Sequence, residues 1–561
     1  MKITTHLKAC AAVVMLLATG AGARAQELST IADEKPFTLG GAIEGSAVGH
    51  SENGIDRGYP PFRWVLAGSL TPSFYGIAVP LSFTISDQER SFMQPFNQFG
   101  ISPSYKWATV HLGYRSMTMS RYTLAGNTFY GVGAELSPGA FRLNGMYGRF
   151  QRAIEEDTTQ SLAVPTYERN GYALSMGYKS ESGGNLELSY LSAADDTLSL
   201  HRPVTRGEVL PAENSALGIT IGIPIIPELR FEAEGGASLF TRDMRAPELD
   251  IDTNDIPDIV KSMHDINGTS TFTMAARTGL TLTLDNASLG VGYERIEPGF
   301  ATLGAYYFTS DIENWTISPG VTLFDKSFRL NGSIGLQQDN LLDTRIATTS
   351  RVIGSGSLGW DISEALGLEM QFTNYTTGQK AGRQPINDSI LVRNVTRSGS
   401  VAPRLLLQGE EMSHSFVMVG GFQTYTDLNI RGDRSANTDA INLGLNYSLS
   451  LIEQPISANG SINYSEATAA GTTTKMIGGS LGGNATIWDE QLSLGGTLAA
   501  TSSVSGESSG LVFSESASIS FAPSELDAIS LNLNALQAGG EPAYDELTAT
   551  LSYRRSFSVG E

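Results

Sequence analysis

The stretch of sequence that decides the fold lies near the C-terminus and reads Ile441-Asn442-Leu443-Gly444-Leu445-Asn446-Tyr447-Ser448-Leu449-Ser450-Leu451. All six odd-numbered residues are apolar, and all five even-numbered residues are polar or glycine. A helix would scatter these residues around its circumference, whereas a strand places them on two opposite faces. The stretch is therefore predicted to form a β-strand with one apolar face and one polar face.

The same alternation recurs at 280–284, 529–535 and 547–557, which predicts further strands. Short turn signals are spaced mostly about 40 residues apart, which leaves room for a strand, a longer polar loop and a second strand. These turns lie at 137–139, 181–184, 227–228, 285–286, 325–327, 363–364, 409–411, 453–455, 489–490 and 523–525. Short turns on one side and longer loops on the other are the layout of outer-membrane β-barrels.

The strand number follows from the turns. Two strands per turn give twenty strands, and five more are expected near 37–48, 63–71, 75–85, 104–114 and 545–557. The total of 25 conflicts with the even strand number of single-chain bacterial barrels. We therefore expect 24 to 26 strands, with the miscounted strand within 86–125. The predicted fold class is all-β, a single large antiparallel transmembrane β-barrel with short periplasmic turns and long extracellular loops.

The composition agrees with such a wall. Of 561 residues, 41% are apolar and only 17% are charged, and the mean hydropathy of −0.08 is the average of an apolar and a polar face. The single cysteine, Cys10, excludes a disulfide framework and a cysteine-based zinc site. The net charge of −21 argues against a nucleic-acid partner, because binding to phosphates needs basic clusters.

The N-terminus predicts export. Residues 1–25 combine two early lysines, an apolar run at 11–18 and an Ala-Arg-Ala cleavage site, as in a secretory signal peptide. Cleavage would remove Lys2, Lys8 and Arg24 and leave a net charge of −24. The expected domains are the signal peptide 1–25, a short periplasmic segment 26–36 and the outer-membrane barrel 37–557.

The signal peptide, the repeated hairpins and the closing aromatic strand resemble those of Gram-negative outer-membrane β-barrel proteins. Two segments are also similar to an uncharacterised family of large barrels: 94–100, Gln-Pro-Phe-Asn-Gln-Phe-Gly, and 303–308, Leu-Gly-Ala-Tyr-Tyr-Phe. The resemblance implies a location in the cell outer membrane, contact with its lipid and lipopolysaccharide, and insertion by the barrel assembly machinery. One departure is that Phe557 is followed by four further residues, whereas such chains often end on an aromatic residue.

Several alternatives fit the sequence less well. A soluble array of β-sandwiches would need linkers, and a β-helix would show shorter repeats of constant length. TonB-dependent transporters resemble the chain in strand number but carry a plug before the barrel, and the first predicted strand here begins about twelve residues after the cleavage site. Fimbrial ushers carry extra soluble domains that no segment here is long enough to form, and general porins have fewer strands.

No catalytic, cofactor-binding or metal-binding residue is predicted. In the acidic loop 241–268, Asp250-x-Asp252-x-Asn254 resembles the start of a calcium loop, but Asp255 and Lys261 replace the required glycine and glutamate. The glycines of Gly354-x-Gly356-x-x-Gly359 match a dinucleotide fingerprint inside a strand, where no βαβ unit exists. An Arg-Gly-Asp tripeptide at 431–433 is a weak adhesion signal, and no pair of histidines has metal-ligand spacing.

Two structural expectations bear on function. Tyr306, Tyr307, Trp315, Trp360, Tyr375 and Trp488 are predicted to form the aromatic girdles of the membrane interfaces. A barrel of this size needs something inside it, and 86–125 and 241–268 are the candidate internal loops. Deleting 243–266 is expected to raise conductance if that loop restricts the pore.

The predicted function is a transport or translocation channel whose lumen is occluded by loops or by an exported or periplasmic protein partner. The alternative is a non-conducting scaffold that anchors such a partner. A barrel enzyme fits less well, because it would need a Ser/His/Asp cluster at one rim.

Overall fold

The computed structural model describes residues 34–87, 97–156, 164–202, 204, 209–247, 264–383, 391–429, 436–540 and 543–560. Within these ranges no helix is long and apolar enough to cross a membrane. The 28 strand segments are β1 Thr38–Asn53, β2 Phe62–Phe74, β3 Ile77–Ala78, β4 Leu81–Ser86, β5 Gln98–Ile101, β6 Ser104–Tyr105, β7 Ala108–Thr118, β8 Ala125–Leu136, β9 Phe141–Gln151, β10 Glu168–Lys179, β11 Asn185–Asp196, β12 Glu213–Ile226, β13 Leu229–Thr241, β14 Ser270–Thr283, β15 Ala287–Ile296, β16 Ile312–Leu323, β17 Phe328–Asp339, β18 Ala347–Asp361, β19 Leu366–Ala381, β20 Arg393–Gln408, β21 Met412–Asp427, β22 Thr438–Leu451, β23 Ile456–Ala469, β24 Thr472–Ile487, β25 Leu492–Ser505, β26 Ser508–Ser524, β27 Asp527–Gly539 and β28 Tyr544–Val559.

These segments form 26 wall strands, because two strands are interrupted by proline. β3 and β4 both pair with β2 and are separated by Pro80, and β5 and β6 lead into β7 and are separated by Pro103. Proline has no N–H to donate to the ladder, so it divides a strand without removing it from the sheet. The predicted range of 24 to 26 strands is confirmed, and the strand missed in the count of 25 is β5 with β6, within 86–125.

The sheet closes on itself. Each strand pairs antiparallel with its sequence neighbours, and β1 pairs with β28 from Leu39 opposite Val559 to Asn53 opposite Asp545. This seam between the first and last strands removes both free edges of the sheet. The expected fold, an antiparallel barrel that closes on itself, is confirmed.

The connections differ between the two ends of the barrel. All ten predicted short turns join neighbouring strands at the end of the barrel where β1 begins and β28 ends, and none of these connections exceeds five residues. Two further turns at this end, 75–76 and 106–107, were not predicted, and the second divides the expected strand 104–114. At the opposite end the loops are longer, except near the C-terminus, where Ala470 and Gly471 form a two-residue turn with φ of +50° and +78°.

The outward face is apolar. In β22, Ile441, Leu443 and Leu445 are 52%, 53% and 46% exposed on the outside, while the interleaved asparagine, glycine and serine residues face the lumen. The same alternation continues around the wall through the direct cross-strand pairs. A closed barrel with an apolar outer surface satisfies its backbone hydrogen bonds internally and is suited to lipid. The chain therefore has the fold of an outer-membrane β-barrel.

One acidic side chain lies inside the apolar band. Glu515 of β26 is exposed on the outward face, opposite Leu498 of β25 and Ala535 of β27. Phe521, Ile519 and Ala517 lie on the same face toward the periplasmic end, and Phe513 and Leu511 lie toward the outer end. Lipid offers no hydrogen-bond donor at this depth, so the carboxyl group destabilises the wall.

Replacing Glu515 by leucine should stabilise the barrel. The expected gain in the free energy of unfolding is about 1–2 kcal/mol, below the penalty of about 2–4 kcal/mol for a basic residue at the bilayer midplane. The measurement is urea unfolding in lipid vesicles, followed by the loss of the fast-migrating unheated band on a detergent gel. The lumenal variant Ser516→Leu is the control and should show no such gain. Equal or lower stability of Glu515→Leu would contradict the assignment of Glu515 to the lipid face.

Candidate functional site

Two outer loops fold into the lumen and pack together. They are 119–124, between β7 and β8, and 297–311, between β15 and β16, and are called the inner loop pair below. Tyr122 and Leu124 are fully buried, and Phe300 is 2% exposed. Tyr122 and Phe300 pack against the lumenal side chains Ala275 and Ile296 in one apolar cluster. Burial of these residues holds both loops against one side of the wall.

Lumenal polar side chains bind the backbone of the longer loop. Asn214 of β12 accepts a hydrogen bond from the Leu303 N–H at 3.1 Å. Ser238 of β13 donates to the Ala301 carbonyl at 2.6 Å. The two loops also bind each other, because the Thr302 hydroxyl donates to the Thr123 carbonyl at 2.6 Å. These contacts pair loop groups that would otherwise be buried without partners.

The end of the longer loop is held by an ion pair. Asp311 is 1% exposed, has a φ of +62° and lies 2.7 Å from Nε of Arg345 in the next outer loop. It also accepts a hydrogen bond from the Leu341 N–H at 2.8 Å. A buried carboxylate with a charge partner and a backbone donor stabilises one loop geometry.

A cluster of charges lies beneath the tip of the shorter loop. Arg121 donates through Nη1 to Glu294 at 2.8 Å, and its backbone N–H donates to Glu234 at 2.9 Å. Arg277 is directly opposite both Glu234 and Glu294 in the sheet, so acidic and basic side chains alternate on this lumenal face. Burial and the neighbouring Glu294 raise the pKa of Tyr122 to about 12, so its hydroxyl stays neutral.

The charged cluster borders a cavity of about 680 Å³ on the lumenal side of β12–β16. Glu232, Arg277 and Glu294 line it, together with glycine, serine and threonine residues of the same strands. The cavity is large enough for a small polar solute. Its walls therefore offer both signs of charge within one compartment.

The opposite side of the lumen has a different surface. The inward faces of β21–β27 carry serine, threonine, asparagine, glycine and a few apolar side chains, and are called the polar wall below. The only charged residue of the polar wall is Asp427, at the outer end of β21. The other charged residues of these strands face outward; they are Asp439, Glu466, Lys475, Glu515 and Asp527. The lumen is thus divided into a side with charges and folded loops and a side with a hydrogen-bonding surface whose single charge, Asp427, lies at the outer end.

Only some of the residues that were predicted to form internal loops lie inside the lumen. Loop 119–124 lies within the predicted interval 86–125 and is internal, whereas 88–96 lies outside the described residues. Of the interval 241–268, the described ends lie against the outward face of β12 and β13, where Thr241 and Ser215 are located. Residues 248–263 of that loop, including Asp250, Asp252, Asp255 and Lys261, lie outside the described residues.

The longer inner loop, 297–311, was not predicted to be internal. Its signal in the sequence is a run of apolar residues between two strands, Phe300 to Phe308, where an exposed loop would be polar. Within this run, residues 303–308 are the second segment on which the family resemblance depended. The resemblance therefore falls on a packed lumenal loop.

The prediction of aromatic girdles is only partly correct. Trp315 and Trp360 are on the outward faces of β16 and β18, and the Trp315 ring lies 4.4 Å from that of Tyr293. Trp488 lies in a periplasmic turn. The assignment is wrong for Tyr306 and Tyr307, which belong to the inner loop pair, and for Tyr375, which faces the lumen. Amphipathic rings suit a half-buried lumenal loop as well as a membrane interface.

The remaining sequence motifs lie apart from the lumenal cluster. Gly354 and Gly356 are on the outward face of β18, whereas Gly359 faces inward, so the three glycines form no common loop. The Arg-Gly-Asp tripeptide at 431–433 lies outside the described residues. Among the residues that the structure describes, no group of three or more histidine, cysteine or acidic side chains could hold a metal ion.

One histidine at the outer rim lies among hydroxyl groups. His264 Nε2 is 2.7 Å from the Thr241 hydroxyl and Nδ1 is 3.3 Å from the Ser215 hydroxyl, with Glu213 and Asp265 beside the ring. A barrel enzyme would need such a group at its rim, but Thr241 is fully buried and His264 is 3% exposed. A substrate has no access to these hydroxyls, so the contacts clamp the loop onto the wall.

This clamp should weaken in acid. Burial lowers the pKa of His264 to about 4, although Asp265 acts in the opposite direction. The neutral ring is the one that packs, so the clamp is fully stable above the unfolded pKa of 6.5 and weakens as pH falls toward 4. Hydrogen exchange of the amides at 264–270 should show lower protection at pH 5 than at pH 7.5, after correction for intrinsic rates. His264→Gln should remove the difference, and equal protection of the native chain at both pH values would contradict the clamp.

Comparison with known proteins adds little beyond the fold. No protein-family model and no curated protein matches the chain. Among solved structures, the chain is similar to the P pilus usher (PapC) translocation pore, at 13% identity over 92% of this chain and 99% of that one, with a TM-score of 0.25.

Two further structures are similar to the chain. The FrpB iron transporter from Neisseria meningitidis matches at 10% identity over 92% and 82% of the two chains, with a TM-score of 0.37. The OccAB2 protein of Acinetobacter baumannii matches at 10% identity over 93% and 98%, with a TM-score of 0.30. At these TM-scores none of the three assigns a function to the chain.

Proposed function

We propose that the protein is an outer-membrane channel whose passage runs along the polar wall, beside the inner loop pair. The observation that carries this proposal is the division of the lumen. One side is filled by two loops that are buried and hydrogen-bonded to β12 and β13, and the other side has an uncharged surface without such a loop among the described residues. A fixed constriction beside a bare wall is the arrangement of a restricted pore.

The size of the barrel makes the constriction necessary. With strands about 4.8 Å apart and tilted by about 40°, a circular barrel of 26 strands would have a backbone diameter of about 50 Å. An opening of that width would pass periplasmic proteins. The inner loop pair narrows the lumen, and we infer that it sets the size of the solutes that pass.

The chemistry of the polar wall suggests which solutes these are. Hydroxyl and amide groups replace part of the water around a polar solute without attracting either sign of charge. We therefore infer that the passage favours uncharged polar solutes, while small ions pass with weak selectivity. The charged cavity beneath Arg121 lies on the opposite side of the lumen and is not part of this passage.

The experiment is reconstitution of the full chain in planar bilayers. We expect stable single-channel currents with a reversal potential near zero in a salt gradient, and a conductance that falls as uncharged polymers small enough to enter are added. A barrel that is folded on a detergent gel yet never conducts would overturn the proposal. That result would favour the scaffold, especially if an exported or periplasmic protein is purified with the barrel.

A further inference from the structure

A second, smaller cavity lies at the outer end of the lumen. It has a volume of about 320 Å³ and is bordered by β8, β9, the start of β10, the end of β11, the residues just before β10 and β12, and the inner loop 297–311. This volume is at the lower end of the range for small-molecule sites, about 300–1,000 Å³. The cavity is separate from the polar wall and from the charged cavity beneath Arg121, since it shares no lining residue with either.

One polar atom of this cavity has no partner. Asn127 is 6% exposed, and its Nδ2 donates to the Leu303 carbonyl at 3.2 Å. Its Oδ1 is buried and makes no hydrogen bond. An unsatisfied buried acceptor is destabilising, and a hydroxyl donor from a ligand would offset this cost. Asn127 lines the cavity, so a ligand that seats against it would supply the missing donor.

The charges of the cavity compensate each other. Arg169 donates through Nε and Nη2 to the two oxygens of Asp195 at 2.8 and 3.0 Å, and the Ala212 N–H also donates to Asp195, at 2.9 Å. A bidentate pair of this kind presents no net charge to a ligand, but it leaves lone pairs and N–H groups at its edge. An uncharged molecule with several hydroxyl groups matches this surface better than an ion of either sign.

Aromatic rings supply the rest of the lining. Phe150 and Tyr167 are buried, and Tyr306 of the inner loop is 58% exposed. The Tyr306 hydroxyl accepts a hydrogen bond from the Thr128 N–H at 2.9 Å, which fixes the ring beside the cavity. Flat aromatic faces pack against the apolar C–H face of a sugar ring, while polar groups bind its hydroxyls.

We propose that this cavity, called the outer pocket, binds an uncharged polyhydroxylated ligand of the size of a single sugar ring. Asn127 accepts from one hydroxyl, the edge of the Arg169–Asp195 pair binds others, and Tyr306 packs against the ring. The site is independent of the proposed passage, since a barrel that never conducts would still bind the ligand. A failure of binding and a failure of conduction are thus distinguishable.

The experiment measures binding to the full chain in detergent micelles by saturation-transfer NMR and calorimetry. The probes are three uncharged sugars (glucose, galactose and mannose), with glucosamine and glucuronate as charged counterparts. We expect saturable binding of at least one uncharged sugar, and at least tenfold weaker binding of glucosamine and glucuronate than of that sugar. Absence of saturable binding of all three uncharged sugars, or equal binding of the charged ones, would overturn the proposal.

Variants locate the site. Asn127→Leu should weaken binding about tenfold, corresponding to about 1.4 kcal/mol. The matched control is Asn331→Leu, a lumenal asparagine of β17 outside the pocket, which should bind as the native chain does. If Asn127→Leu fails to give the fast-migrating folded band, Tyr306→Leu takes its place, because Tyr306 is largely exposed. Native-like binding by a folded variant of either residue would overturn the assignment.

Discussion

Replacing residues 298–310 by Gly-Ser should at least double the single-channel conductance, because conductance grows with the open cross-section of the barrel. Ile296 and Ile312 are directly paired at the ends of β15 and β16, so Glu297, the two new residues and Asp311 suffice to close the hairpin. The shortened chain loses the buried Phe300 and the hydrogen bonds that join this loop to Ser238 and Asn214. The lumenal face of β12 and β13 then becomes accessible to ions.

Planar-bilayer recordings of the native and shortened chains provide the measurement. The control is insertion of Gly-Ser between Gly506 and Glu507, which lengthens a two-residue outer turn far from the inner loop pair and should leave the conductance unchanged. Both variants must first give the fast-migrating band on an unheated gel. Unchanged conductance of a folded, shortened chain would show that the loop does not restrict the pore.

The second large effect is expected from charges added to the polar wall. Asn446→Asp, Ser480→Asp and Ser518→Asp together place three carboxylates on the inward faces of β22, β24 and β26. If ions pass along this wall, the added negative potential should raise the ratio of potassium to chloride permeability about fivefold or more at low salt. The effect should shrink at high ionic strength, because the charges are then screened.

Two controls test whether a change in selectivity depends on the charge of the new side chains and on their position in the lumen. Asn446→Gln, Ser480→Asn and Ser518→Asn together keep the polarity and should leave the selectivity unchanged. Glu232→Gln removes an acid from the opposite side of the lumen, where it lines the charged cavity, and should change the permeability ratio much less. A larger change from Glu232→Gln than from the three added acids would place the passage on the charged side.

The strands were predictable because each outward residue has the same neighbour, lipid. That environment imposes strict alternation, as in 441–451, and the short periplasmic turns interrupt it at regular intervals. The strand formed by β5 and β6 was missed because Pro103 divides it into pieces of four and two residues, too short to show a period. Lys106, with a φ of +51°, then turns the chain inside the expected strand 104–114.

The interior was far less predictable. Tyr306 was assigned to a membrane interface because an aromatic ring with a hydroxyl suits that environment, yet the Thr128 N–H that it meets is about 180 residues away. Such long-range pairs carry no periodic signal in one sequence. The polar wall, by contrast, has a signal in the sequence. Within 438–539 the alternation places Asp439, Glu466 and Glu515 on the outside and leaves the inward positions of the strands without charged residues.

The seam has a consequence for biogenesis. β1 and β28 are separated by the 26 strand segments between them, so their pairing must wait until β28 has been synthesised and exported. Until then β1 presents a row of unpaired backbone groups, which invites pairing with other chains. The entropic cost of closing a loop grows only logarithmically with the length of the loop. The main obstacle is therefore the exposure of β1 before β28 arrives, and not the final pairing of the two strands. An assembly factor that covers β1 until β28 arrives would solve this problem, and a chain truncated before Tyr544 should remain bound to it.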